Sequence, residues 1–590
     1  MAASDSSGLR LVRGTVNPII AQDRQLFLLK GDATQEHVHL ADSAEMQIPA
    51  IWHYDRHPFQ LKILHFNDLH GQIARVSHTE SVPVFSKLVS YIEQSRATCQ
   101  ENPNAAVIVL AGGDDMIGTP FDLLLSRDLH QYLIHPGYHA YSTAGIDASV
   151  LGNHEFDLGL DFLAHAIRRD ANFPVLAANL KPTKQLAQVC DPAAIIYLKG
   201  VRIGLIGLTT PTADLRSRPG SEFEIVDPIP VVKNLLPIIR QLSDIVIILS
   251  HLGLHLNSPS APVGLAGDVE LAQHLPTGSV DLIIGAHTHT ILNQKGFEPS
   301  NIVNGIPIVQ ADCKGRHLGQ VDLILRETVT VANAVLHPST QLEESVVFTE
   351  QCVQPLLAQL YPRYEKNLGR VTSLDITTAI CCEQAAAAES AMHNFMTDTL
   401  VAGCRARGLN VDFAMLDASV TSAGLHAGQP LTWGDWLGVM PYEDTLILLT
   451  LTGKQLAALI QDNARRIDLA DEPPQDRGFQ HFSQDIRYHI QRHPLRSEIK
   501  ATEIKLKGLA IESTMDMMYR LVCITFFRGL ARNWEKQVAS NLPLLIFDPK
   551  QAGGVDTGLF FHDLMLEHIR RHDGITPAAG AVRDGRLEII

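Results

Sequence analysis

Aspartate and histidine recur at short spacings through the first half of this 590-residue chain. Asp68 and His70 stand two apart in LKILHFNDLHG; on an extended backbone such residues point to the same side, so a carboxylate and an imidazole emerge together. Further along come Asp114 in AGGDDMIGTP, then Asn153, His154 and Asp157 in GNHEFDLG, His251 in SHLG, and His287 with His289 in GAHTH. Carboxylates, an amide and imidazoles without a thiolate suit Mn²⁺, Zn²⁺, Fe or Co²⁺. The set is large enough for two ions. With Asp114 bridging, one would take Asp68, His70 and His289, and the other Asn153, His251 and His287. Two divalent cations against two carboxylates leave a charge of about +2, which attracts a hydroxide and an anionic phosphate and offsets charge on attacking and leaving oxygens. The chemistry expected is hydrolysis of a phosphate ester.

Each motif follows an apolar run of strand length: LKILHF, AAVIVL, DIVIIL and VDLII among them. Runs with no polar face imply strands covered on both sides, hence a layered α/β domain, and open α/β sheets place ligands where strands meet loops. Taken singly, the motifs have ordinary explanations: Asp157 capping a helix that begins near Leu158, His251 as a hydrogen-bonded core histidine, Asp115 as a solvated neighbour of Asp114. Five motifs in order, all at strand exits, are not explained that way. The domain organisation expected is an extension over 1–58, holding a strand pair or small cap, and a metal-bearing domain over 59–340. A helical linker over 341–370, kinked or broken at Pro355 and Pro362, leads to a second α/β domain over 371–590.

The composition is that of an ordinary globular protein, 45% hydrophobic and 19% charged. Its 48 basic and 64 acidic residues give a net charge of −16 without long runs, which argues against nucleic acid as the main partner. The eight cysteines form no C-x-x-C pair and no disulfide framework, so they are read as buried free thiols. The N-terminal MAASDSSGLRLVRGTV lacks the apolar stretch of a secretory signal, and no run reaches the ~18 apolar residues of a membrane helix. The expectation is a cytoplasmic protein acting on a small-molecule phosphate ester, without a membrane partner and with its oligomeric state open.

In the order D-x-H, GD-x3-GT, GNHE-FD, SHLG and GxHTH, the motifs resemble those of the calcineurin-like metallophosphoesterases. The longer context resembles the 5'-nucleotidase branch, which includes bacterial UDP-sugar hydrolase/5'-nucleotidases and 2',3'-cyclic-nucleotide phosphodiesterases, relatives that are often exported. The resemblance is strong over 59–325 and weaker over 371–590. It implies a layered β-sandwich flanked by helices, followed by a 5'-nucleotidase-type C-terminal domain. It also implies Asp68, His70, Asp114, Asn153, His251, His287 and His289 as ligands of two divalent metals, His154 with Asp157 as catalytic dyad, and attack by metal-bound hydroxide. A histidine oriented by a carboxylate can be held protonated to stabilise phosphoryl oxygens or assist the leaving group.

In that family the C-terminal domain supplies the substrate pocket. Tyr442 in PYEDTL and Phe526 in YRLVCITFF fall at its two ring positions, with core packing as their ordinary alternative. The polar groups differ: DASVTS, from Asp417, stands where the family reads N-G-G-x-I-R, with Ser422 at the arginine position, and GLARN puts Arg532 near an expected aspartate. Arg532, with Arg528, would favour a nucleotide-like substrate bearing a second anionic group, which would make AMP a poor one. The rival activities are cyclic-nucleotide phosphodiesterase, nucleotide-sugar hydrolase and thiosulfohydrolase; a metal-binding pseudoenzyme or regulatory binding protein is the rival of another class.

Overall fold

The computed structural model describes residues 8–22, 24–41, 58–77, 80–126, 128–211, 223–255, 267–374, 376–442, 444–469, 478–524 and 554–590. They divide into two compact units, with the main-chain boundary between Tyr361 and Pro362.

The first unit is a sandwich of two sheets. One runs, in spatial order, Cys190–Asp191, Val175–Leu176, Ala148–Val150, Ala105–Ala111, Phe59–Phe66, His317–Leu325, Val329–Pro338. The other includes, as successive neighbours, Ile306–Val309, Leu282–Ile284, Ile245–His251, Val201–Thr209, Ala193–Leu198, Arg24–Lys30 and Gly8–Arg13. Ile63, Ile108, Leu110 and Val150 of the first sheet pack with Ile203, Leu205, Ile247, Leu249 and Ile284 of the second, so the strands bury both faces as their unbroken apolar runs require. Outside the second sheet, Val232, Leu235, Leu236 and Ile239 of the helix Pro228–Leu242 cover Ile206, Val246 and Ile248. That helix starts where Asp227 caps the amide of Ile229 and Pro228 occupies the first turn.

Strand direction positions the site. Phe59–Phe66, Ala105–Ala111 and Ala148–Val150 are mutually parallel, with Phe66 opposite Ala111 and Leu110 opposite Ala148. In the facing sheet Ile245–His251 is parallel to Leu282–Ile284, with Leu249 opposite Ile284. Every motif-bearing loop therefore leaves a carboxyl end.

Residues 8–40, read from sequence as an appendage, are built into this unit. Gly8–Arg13 and Arg24–Lys30 join the second sheet, Leu26 enters the inter-sheet core, and Leu9, Leu11, Phe27 and Leu29 pack in the outer core with the helix. Arg24–Lys30 packs on both faces, with Leu26 and Leu28 toward the inter-sheet core and Phe27 and Leu29 toward the outer one, so the pair extends the sheet instead of capping it. The early part of the expected linker also packs on this unit: Phe348 meets Phe85 edge-on at 5.8 Å, and Ser345 donates its amide to Ser86. The break anticipated at Pro355 takes the form of a π-helical turn, Thr349–Val353, just before the helix Gln354–Tyr364. A proline lacks the N–H for the regular helical bond and crowds the carbonyl four residues back.

The second unit is also α/β. Its five-stranded sheet runs Gln480–Phe482, Phe413–Asp417, Met518–Ile524, Thr445–Thr452, Val555–Phe560, and the helices Ala391–Ala406 and Phe561–Arg571 pack on it. All eight cysteines are free, five of them buried. Among the described residues no helix is long and apolar enough to cross a membrane.

Candidate metal centre

The motif loops converge through an unusual backbone. Asp68, His70, Asp114, His287 and His289 all adopt left-handed conformations, with φ of 50°, 47°, 53°, 72° and 53°. This region is sparsely populated for residues with a Cβ, and such conformations cluster at functional sites because the surrounding structure must hold them. Here backbone hydrogen bonds do so: Asp68 donates to the Gly113 carbonyl and His70 to that of Asp114.

Three groups of side chains present ligand atoms within 4.8 Å of one another: Asp68 with His70 and His289, Asp114 with His251 and His287, and His70 with Asp114 and His154. Asp114 Oδ2 lies 3.3 Å from His251 Nε2 and 3.9 Å from His70 Nε2, while Asp68 Oδ1 lies 3.2 Å from His289 Nε2. The Nε2 atoms of His70 and His289 are 3.4 Å apart. Asn153 is buried beside His154, whose amide donates to Asp114 Oδ1 at 2.9 Å.

The far sides of His251, His70 and Asp68 are already engaged. His251 Nδ1 lies 2.6 Å from the Gly112 carbonyl and His70 Nδ1 lies 3.2 Å from that of Ile117. As donors there, both rings turn an Nε2 lone pair toward the carboxylates, the outer-shell arrangement that fixes a ligating imidazole. Asn67 Nδ2 and the His287 amide donate to Asp68 Oδ2, leaving Oδ1 facing inward.

A cation fits what remains. Asp68 Oδ1, Asn153 Oδ1 and His251 Nε2 are buried without a hydrogen bond among the described residues, and two of them are only 3.9 Å apart. Native interiors leave few such atoms. Burial pushes His70 down to about 4, so its ring is neutral and can donate a lone pair. Burial opposes charge on His251 and His289 as well, but Asp114 and Asp68 hold His251 at about 10, and Asp68 with the Cys313 thiol holds His289 at about 10. Those carboxylates attract positive charge into the cluster, and a divalent ion competes for the same lone pairs.

The dyad partners also meet. His154 Nδ1 is 2.6 Å from Asp157 Oδ2. The helix after this turn runs Leu160–Asp170 with Gly159, at φ 90°, as its cap, so Asp157 is not the capping residue. Asp115 is not solvated either: it is 1% exposed, with Ser149 Oγ 3.3 Å from its Oδ2.

In the second unit, Asp417 is 1% exposed and its carboxylate accepts from the amide and hydroxyl of Ser419 and from Gln480, so it holds a turn. Tyr442 is 36% exposed, which departs from core packing. Phe526, Arg528 and Arg532 lie outside the described residues.

Sequence reading passed over several residues that shape the centre. Asn67 ties Asp68 to the loop after Ile306–Val309 by donating to the Asp312 carbonyl and accepting from Ala311. Gln310 accepts from Thr288 Oγ1 and donates to Ala286, pinning the GAHTH turn. Gly152 leaves room: a Cβ there would stand 2.2 Å from Asp114 Oδ1 and 2.7 Å from His251 Cε1. Gly152→Ala is therefore expected to displace Asp114 and lower kcat by roughly 10²-fold, the scale of a 1 Å misplacement. Steady-state kinetics with metal analysis measure this, and an alanine variant of wild-type activity would show that the loop yields without cost.

An α/β sandwich that gathers aspartates, an asparagine and histidines at the carboxyl ends of parallel strands is the architecture of a metal-dependent hydrolase. Residues 61–290 match the calcineurin-like phosphoesterase family and residues 367–535 the 5'-nucleotidase C-terminal domain. The chain is 28% identical over 436 residues to a 5'-nucleotidase of Vibrio cholerae, covering 69% of this chain and 75% of that protein. It is 24% identical over 551 residues to the protein UshA of Salmonella pullorum, covering 88% and 92%. Its fold resembles that of a putative 5'-nucleotidase from Staphylococcus aureus, with a TM-score of 0.68 at 19% identity over 90% of this chain and 99% of that one. The chain belongs to the calcineurin-like phosphoesterases that carry a 5'-nucleotidase C-terminal domain, and it is a phosphoric ester hydrolase.

Proposed function

We propose that the chain removes phosphate from a nucleotide or closely related ester using two divalent cations. Asp68, His70 and His289 would hold one, Asn153, His251 and His287 the other, with Asp114 shared. The observation that carries this reading is the convergence of buried, unsatisfied ligand atoms around Asp114, beside a hydrogen-bonded His154–Asp157 pair. When bound, such cations activate water and offset charge on the phosphoryl oxygens.

The chain's own groups supply the rest. Asp157 accepts from His154 Nδ1, which fixes the tautomer and turns Nε2 away from the pair. From there His154 can hold a proton against a phosphoryl or leaving oxygen. The names of the relatives support a nucleotide as substrate, and the exposed ring of Tyr442 suits stacking on a base.

The test is phosphate release from nucleoside monophosphates, cyclic nucleotides, nucleotide sugars and sugar phosphates with added Mn²⁺, Zn²⁺ or Co²⁺. Turnover is expected with a nucleotide, lost to a chelator and restored by metal. Tight nucleotide and metal binding without turnover on any of these substrates would instead identify a binding protein.

A further inference from the structure

Glu155 has no part in the functions assigned above, yet it sits at the centre of the site's backbone. It is 7% exposed, and among the described residues no ion pair engages it. Its carboxylate accepts three peptide N–H groups from two loops: Oε2 from Gly152 at 2.5 Å and Asp114 at 3.1 Å, and Oε1 from Asp115 at 2.8 Å. Burying a carboxylate is costly, and three amide donors make that burial tolerable. Its local neighbours are Asn153 and His154, while Asp114 and Asp115 lie about forty residues away on the loop that leaves Ala105–Ala111.

Asp114 needs such a clamp. Its left-handed backbone follows Gly113 at φ 82°, a pair of conformations that an unrestrained loop would leave. With the Asp114 amide held by Glu155, its side chain is set so that Oδ1 meets the His154 amide and Oδ2 faces His251. We propose that Glu155 is a positioning residue for metal binding: it locks the loop of Asp114 to the loop of Asn153 and His154, fixing the spacing between the shared carboxylate and one cation's remaining ligands. This rests on the reading of Asp114 as a metal ligand.

Glu155→Gln is nearly isosteric but turns one acceptor oxygen into an NH₂ that faces peptide N–H groups, so at least one anchor is lost. The experiment is Mn²⁺ titration of metal-free wild type and variant by calorimetry, with thermal unfolding of each with and without Mn²⁺. The expected result is about 10–100-fold weaker Mn²⁺ binding in E155Q, the usual cost of losing an outer-shell partner, and a smaller Mn²⁺-induced rise in Tm. A purely structural role would lower Tm equally with and without metal and leave Mn²⁺ affinity unchanged, which would overturn the proposal. Should E155Q not fold, Glu155→Asp, which keeps both oxygens but withdraws them by one methylene, is read the same way: wild-type Mn²⁺ affinity overturns it, and weakened affinity supports it. Wild type that binds no divalent cation strikes the metal reading itself, whereas equal affinity in wild type and variant strikes only the role of Glu155.

Discussion

Replacing Asp114 with alanine is expected to abolish phosphoester hydrolysis while the fold persists. Asp114 is 2% exposed and its two oxygens serve both halves of the cluster, Oδ1 through the His154 amide and Oδ2 toward His251 and His70. Losing it removes a ligand from each proposed ion at once. The fold should survive because Asp114 lies in a loop, although its loss costs the contact with His251 and the hydrogen bond from the His154 amide. Asp114→Asn controls for the backbone, since asparagine tolerates the left-handed region better than alanine. Elemental analysis should find close to two metals per wild-type chain and fewer in either variant. One tightly held metal with full activity in the wild type would rule out the shared-carboxylate arrangement.

The second large effect is expected from His154→Asn. If His154 holds a proton near the reacting oxygens, kcat falls by roughly 10²–10⁴ while metal content stays near normal. Asp157→Asn should act in the same direction more weakly, because it removes the orienting acceptor 2.6 Å from Nδ1 but keeps the imidazole. Geometry makes the opposite outcome informative. His154 also belongs to a group with His70 and Asp114 whose atoms could hold an ion. Metal loss in His154→Asn would therefore identify it as a ligand and displace the dyad reading.

The layered sandwich and the gathering of the motif residues were legible in the chain itself, and for one reason. A strand buried on both faces must be apolar throughout, so LKILHF, AAVIVL, DIVIIL and VDLII declare themselves, and residues placed just after them lie at the carboxyl ends of strands, two in each of the facing sheets. The reading that shares Asp114 between Asp68, His70 and His289 on one side and Asn153, His251 and His287 on the other is compatible with the clusters Asp68–His70–His289 and Asp114–His251–His287, though His70 also comes within reach of Asp114. Apolar patterning was less help for Gly8–Arg13 and Arg24–Lys30, because a short strand reads alike whether it stands alone or fills a sheet.

What only the tertiary structure decided is how those ligands are held. Asp115 looks like a loop carboxylate in the sequence but is 1% exposed, and Asp157, which the resemblance pairs with His154, lies 2.6 Å from its Nδ1. Asn67 reaches Asp312 across 245 positions of the chain, His251 reaches Gly112 across 139, and Glu155 reaches Asp114 across 41. Contacts of that range leave no local period to read, since they exist only once separate strands have been brought side by side. The residue types suited to binding metal are thus set by short spacings along the chain, whereas their orientation, left-handed backbones included, is set by hydrogen bonds between loops that meet only in the folded protein.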